Sequence, residues 1–140
     1  TPLPWAASEP QAGFSSANQT WLKVDPAHAE RAIDRQPRAP ASMVEYTRAL
    51  LALRSTLPAL VSGDSELLDT PESILAFLRR TGGQDVLCAF NLSEEDVEWQ
   101  PPAAFAGGVI IANEGSASHS SLLTTTFAPR SGCWATKGEA

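Results

Sequence analysis

The chain has 140 residues, 43% of them hydrophobic, with eleven prolines, nine glycines and a formal net charge of −6. This composition excludes disorder along the whole length, and the lack of any Lys/Arg stripe excludes nucleic-acid binding. No segment reaches the roughly 20 apolar residues that a membrane span needs, and no secretory signal opens the chain.

Residues 1–41 show little periodicity and carry six prolines. They read as one long ordered loop, because Trp5, Phe14 and Trp21 do not suit the polar composition of a flexible linker. Long loops inside compact domains are usually functional. Sugars stack their apolar faces on aromatic rings, so Trp5 and Phe14 are the candidate substrate-binding residues. Trp21, inside Trp-Leu-x-Val, reads instead as an anchor of the loop onto its scaffold. Propensity predicts a short helix over residues 27–36, confined by Pro26, Pro37 and Pro40.

The next element is a helix. Ser42 and Glu45 form a Ser-x-x-Glu capping pair. Met43, Tyr46, Leu50, Leu53 and Leu57 recur at spacings of three and four and make one apolar stripe, with Arg48 and Arg54 off it. Pro58 ends the helix. Such a stripe must bury against something larger, a sheet or a barrel.

After Gly63 the texture is that of strands. They are predicted at Glu66–Asp69, Ser73–Arg80, Asp85–Leu92, Val97–Trp99, Val109–Ala112, Leu122–Phe127 and Gly132–Thr136. Gly82-Gly83 marks a hairpin turn. The spacing of about ten residues suggests an antiparallel sandwich.

No catalytic constellation is present as a motif: there is no GxSxG, HExxH, P-loop or GxGxxG. Glu94, Glu95 and Asp96 read as a solvated turn. Cys88 and Cys133 read as small buried strand residues, since free cysteine is among the most buried types. His28 and His119 are lone, with no metal-ligand spacing around them. The predicted catalytic, metal and cofactor assignments for this chain are therefore none.

Several short motifs in one order resemble a known family. Thr-Pro-Leu-Pro-Trp at 1–5, Ala-Gly-Phe-Ser at 12–15, Trp-Leu-x-Val at 21–24 and Ile33-Asp34-x-Gln36 are similar to the end of the catalytic barrel in the alpha-amylase family of glycoside hydrolases. The resemblance is to bacterial alpha-glucosidase and oligo-1,6-glucosidase. It continues through Leu50-Leu51-x-Leu53-Arg54, Leu57-Pro58-Ala59-Leu60, Ala76-Phe77-x-Arg79 and Phe90-Asn91-Leu92-Ser93, and fades after Trp99. Two departures stand out: Leu3 where the family often has Met, and Ala6 where it often has Asp.

The resemblance implies a mainly β fold: a C-terminal antiparallel Greek-key β-sandwich over residues 58–140, preceded by residues 1–57 as the last loop and last helix of a (β/α)8 barrel. It implies a parent enzyme that retains anomeric configuration on small alpha-glucosides, using two carboxylates that lie upstream. It implies that this chain is inactive alone, that its partner is the missing barrel, that no nucleic acid or membrane is bound, and a place in the bacterial cytoplasm ahead of the periplasm. Two rival readings remain. One is a stand-alone carbohydrate-binding sandwich using Trp99 or Trp134. The other is a protein-interaction domain using residues 42–57.

Overall fold

The computed structural model describes residues 2–37, 39, 42–113 and 121–137, the side chains of residues 113, 121 and 122 excepted. His119 lies outside the described residues. The chain divides into two compact units, Thr1–Arg48 and Ala49–Ala140.

The first unit is a loop tied to itself by backbone bonds. Ile33 N–H donates to the Pro4 carbonyl at 2.9 Å and Asp34 N–H to the Trp5 carbonyl at 3.0 Å. The Asp34 carboxylate in turn accepts from Ala7 N–H at 3.1 and 3.2 Å. These bonds explain why the helix predicted over 27–36 does not form. Two 3-10 turns, Pro26–Arg31 and Ile33–Arg35, stand in its place, separated by the extended, fully buried Ala32. The amides that would carry a helix through this point are committed to the opening segment. The first turn is capped by Asp25, whose carboxylate accepts from Ala27 N–H at 2.9 Å.

Helix α1, Met43–Thr56, begins where the capping pair places it. The Ser42 hydroxyl oxygen accepts from Glu45 N–H at 3.2 Å. A second cap comes from Gln36, whose side-chain oxygen accepts from Val44 N–H at 3.1 Å, while Ser42 Oγ donates to the Gln36 carbonyl at 3.0 Å. Two of the four orphan donors of the helix are thereby satisfied. The apolar stripe is only partly covered among the described residues. None of the fourteen residues of α1 is buried; Met43 is 69% exposed, and Tyr46, Leu50 and Leu53 are half-buried. Leu57 is extended, and Pro58 does more than end α1: it opens a second short helix, α2, Pro58–Ser62. Proline suits a first helical position because its missing N–H would be an orphan there.

The second unit is built on a six-stranded antiparallel sheet. Its strands are β1 (Asp64–Leu67), β2 (Ile74–Thr81), β3 (Gln84–Asn91), β5 (Val109–Asn113), β6 (Ser121–Leu122) and β8 (Gly132–Thr136). They lie in the order β1-β2-β3-β8-β5-β6, and β4 (Val97–Glu98) pairs with β7 (Thr126–Phe127) in a second sheet. The last strand in sequence thus inserts between β3 and β5. Thr81 pairs with Gln84 across Gly82-Gly83, so the predicted hairpin is present, with Gly83 at φ 116°. The single strand predicted over Leu122–Phe127 divides. Leu123 N–H donates to Gly108 on the β5 side, whereas Trp99 N–H donates to Thr125 on the β4 side. The segment changes partners, and so changes sheets, between those two residues.

Strand alternation sends successive side chains to opposite faces, and here it makes two cores. Ile74, Ala76, Leu78, Leu87, Ala89, Cys133 and Ala135 face Phe105 and Phe127. Val86 and Cys88 face Ala59 of α2, with Phe77, Phe90 and Trp134 beside them. The helix end comes so close to β2 that a Cβ on Gly63 would lie 2.5 Å from the Ala59 carbonyl oxygen and 2.6 Å from that of Arg80.

Candidate functional site

Trp5 and Phe14 are placed by an unusual turn. Gln11, Ala12 and Gly13 take φ of 51°, 53° and 69° in succession. A left-handed residue other than glycine costs about 1–2 kcal/mol. Local bonding offsets that cost: the Ala12 carbonyl accepts from Trp5 N–H at 2.8 Å and from Ala6 N–H at 3.0 Å. The Gln11 amide side chain also donates to the Asn18 carbonyl at 3.0 Å. The result holds Trp5 and Phe14 on the surface, 51% and 48% exposed.

Phe14 forms one wall of a shallow apolar recess of about 300 Å³, with Pro2, Thr20, Trp21 and Leu22; Trp5 does not line it. Trp21, expected to anchor the loop, is 98% exposed. Its neighbour Thr20 takes the inward place, buried, with its hydroxyl donating to the Leu22 carbonyl at 2.6 Å. The chain bends at Trp21 and Leu22, and the indole stands outward there.

The ionisable groups are arranged for structure. Glu94, Glu95 and Asp96 are exposed in the turn after β3, as expected, and Glu94 pairs with Arg130. Cys88 and Cys133 are free and buried. Burial pushes the Cys88 thiol up to about 12 and the Cys133 thiol up to about 11. Among the described residues, no three His, Cys, Asp or Glu side chains are grouped so as to hold a metal ion. Trp99 and Trp134, the residues of the carbohydrate-binding rival, are packed: Trp99 against Phe127 at 5.8 Å, and Trp134 edge-on to Phe90 at 5.4 Å.

Asn91 is the buried polar residue whose environment the sequence does not announce. It is 1% exposed. Its Nδ2 donates to the carbonyls of Glu95, Phe127 and Ala128 at 2.7, 2.9 and 3.0 Å. Its Oδ1 accepts from Ser93 N–H and Oγ at 2.9 and 2.8 Å. Asn91 and Ser93 thus tie the end of β3 to β7.

A second surface feature lies wholly within the larger unit. A groove of about 280 Å³ runs between the second half of α1 and the sheet, lined by Leu50 and Leu53 of the stripe, by Leu51, Leu60, Phe77, Cys88 and Trp134, and by two arginines, Arg54 and Arg79. The one hint of it in the sequence is Arg54, a cation set off the apolar stripe.

The profile of the family described as maltogenic amylase, C-terminal domain, matches residues 65–134. A probable alpha-glucosidase of Rhizobium meliloti (strain 1021) is 43% identical over 95 residues, which are 68% of this chain and 17% of the relative. A glucan 1,6-alpha-glucosidase of Streptococcus pneumoniae is 34% identical over 96 residues, 69% of this chain and 18% of the relative. The chain therefore spans about a sixth of the length of these curated relatives. Among solved structures, an isomaltulose synthase of Erwinia rhapontici NX5, crystallised with D-glucose, superposes with a TM-score of 0.79 at 27% identity, covering 99% of this chain and 25% of that one. A trehalulose synthase superposes equally well, at 0.79, over 97% of this chain and 25% of that chain; at 23% identity it speaks for the fold alone.

Proposed function

We infer the role of this chain from one premise: it belongs to the family of maltogenic amylase C-terminal domains. It is the C-terminal part of an alpha-glucosidase-like member of the alpha-amylase family of glycoside hydrolases. In the reading proposed here, residues 1–57 close the catalytic barrel of the parent enzyme as its last loop and last helix. Residues 58–140 are the sandwich that braces that barrel. The chain does no chemistry by itself, and its immediate partner is the barrel.

The observation that carries this reading is α1. None of the fourteen residues of α1 is fully buried, and among the described residues its stripe is at most half covered, from Met43 at 69% exposed to the half-buried Tyr46, Leu50 and Leu53. Helices gain most of their stability from burying such a face. The sheet beside it already carries two cores of its own, so the stripe is not surplus to a small domain but addressed to a further layer. A barrel supplies that layer.

The parent then hydrolyses or transfers glucose from small alpha-glucosides through a retaining mechanism. One carboxylate attacks the anomeric carbon, a second protonates the leaving oxygen, and both stand upstream of residue 1. Loops at one face of a (β/α)8 barrel carry the active site. Trp5 and Phe14, held out by the left-handed turn, would contribute apolar walls to the glucose pocket. No helix among the described residues is long and apolar enough to cross a membrane.

The test compares the full-length polypeptide with the 140-residue chain on a nitrophenyl alpha-glucoside. The full-length protein should turn the substrate over and the short chain should not. Trp5→Ala and Phe14→Ala in the full-length protein should raise KM by about threefold or more, the loss of part of one buried aromatic contact. Turnover that stays with the 140-residue chain through purification would sink the reading.

A further inference from the structure

The backbone around Trp5 is bonded from two sides. Its N–H donates to the Ala12 carbonyl at 2.8 Å, and its carbonyl accepts from Asp34 N–H at 3.0 Å. The flanking residues are held by the same two segments. Ala6 N–H donates to the Ala12 carbonyl at 3.0 Å, and the Pro4 carbonyl accepts from Ile33 N–H at 2.9 Å. The next amide, Ala7 N–H, is given to a side chain, 3.1 and 3.2 Å from the two carboxylate oxygens of Asp34. Asp34 thus reaches this corner twice, through its backbone at Trp5 and through its carboxylate at Ala7, 27 residues away in sequence. Among the described residues, no other side chain bonds to residues 4–8.

The Trp5 ring has little else to hold it. It is 51% exposed, it lines no wall of the recess beside Phe14, and it enters none of the ring contacts among the described residues. Such a ring takes its direction from the backbone that carries it, because rotamers are set relative to that backbone. The left-handed turn at Gln11 and Ala12 fixes one side of the corner. Asp34 fixes the other. Its carboxylate makes a charge-assisted bond, about twice as strong as a neutral one. Asp34 is itself exposed, so that carboxylate fills no core; what it touches is this corner. The helix that residues 27–36 favour locally is given up where the Ile33 and Asp34 amides turn toward it.

We propose that Asp34 is the positioning residue for Trp5: by clamping residues 5 and 7 it fixes the direction in which the indole stands. The consequence for catalysis rests on the reading of Trp5 as an apolar wall of the glucose pocket. On that reading Asp34 sets substrate affinity without touching substrate. A wall that wanders loses contact with ground state and transition state alike, so the loss appears in KM and leaves kcat nearly unchanged.

Fluorine NMR of the full-length polypeptide carrying fluorotryptophan reads the ring directly, with the Trp5 resonance assigned by its loss in Trp5→Phe. Asp34→Ala should shift or broaden that resonance, and Asp34→Asn, which keeps an acceptor oxygen, should move it less. On a nitrophenyl alpha-glucoside, Asp34→Ala should raise KM about threefold, as Trp5→Ala does, with kcat held within about twofold. Both changes together should raise KM no further than Trp5→Ala alone, because residues acting through one contact do not add. An unmoved resonance in Asp34→Ala would overturn the proposal. So would a double variant whose KM rises by the product of the two single effects, or an Asp34→Ala loss that falls on kcat and is not eased by Asn. The two readings fail separately. A resonance that answers to Asp34 while Trp5→Ala leaves KM unchanged keeps the clamp and removes Trp5 from the pocket. A resonance that ignores Asp34 while Trp5→Ala raises KM removes the clamp and leaves the pocket reading standing.

Discussion

At the residue scale, the two thiols set the response of the larger unit to alkali. For Cys88 the desolvation of its buried site outweighs the opposing pull of the Arg79 guanidinium and leaves its pKa at about 12; for Cys133 burial alone leaves about 11. Both folded values stand above the ordinary 9.0, so the fold prefers the neutral thiols. That preference contributes its full stability below pH 9, and the contribution drains away as pH climbs through 11 and 12. The thermal midpoint should therefore fall between pH 9 and 11, and fall less in the Cys88→Ala, Cys133→Ala double variant. Parallel curves for the two proteins would exonerate the thiols. The sequence points to buried strand cysteines from residue type alone. It does not point to the outward turn of Trp21, where the neighbouring Thr20 is buried with its hydroxyl bonded to the Leu22 carbonyl.

At the scale of elements, the approach of α2 to β2 depends on Gly63. A methyl group there would meet two carbonyl oxygens at 2.5 and 2.6 Å, closer than real Cβ contacts allow, and backbone cannot step aside as a flexible side chain can. Gly63→Ala should cost about 1–3 kcal/mol, the range for forcing an extra methyl into packed structure, read as a lower midpoint in urea. Gly82→Ala, with open space around it, is the matched control and should cost less. The strands were legible to within a residue or two wherever alternation was strong, as in β2, β3 and β8. The run predicted over Leu122–Phe127 was not, because a change of partner between Leu123 and Thr125 leaves no mark on β propensity. The helix predicted over 27–36 failed for a similar reason. Its local preference is real, but the amides of Ile33 and Asp34 bond to Pro4 and Trp5, nearly thirty residues away in sequence.

At the scale of the whole molecule, the exposed apolar side chains decide behaviour in solution. Trp21 is 98% exposed, Leu67 75%, Met43 69% and Leu51 61%. Large exposed apolar patches mark interaction surfaces or aggregation liabilities. The 140-residue chain should accordingly self-associate, with light scattering giving a mass above 14.9 kDa that rises with concentration. A monomer at all concentrations, with residues 1–41 resistant to protease, would mean that these side chains are covered without a barrel. The same exposure separates the two units in kind: the larger carries two cores on one sheet, whereas the smaller buries little beyond Pro2, Pro4, Ala12, Thr20 and Ala32.

By itself the sequence determined the family, the mainly β architecture, the start of α1 and the Gly-Gly hairpin. Each of these is written in local patterns: motif order, alternation, a cap three residues from its partner, glycines where the chain must turn. Only the tertiary structure decided which carbonyls the Asn91 amide reaches, that Gln11 and Ala12 adopt left-handed backbone, that α1 leaves its stripe only half covered, and that Arg54 and Arg79 share one groove. Those outcomes depend on residues far apart in sequence meeting in space, where a hydrogen bond or a close contact outweighs the preference of any single residue.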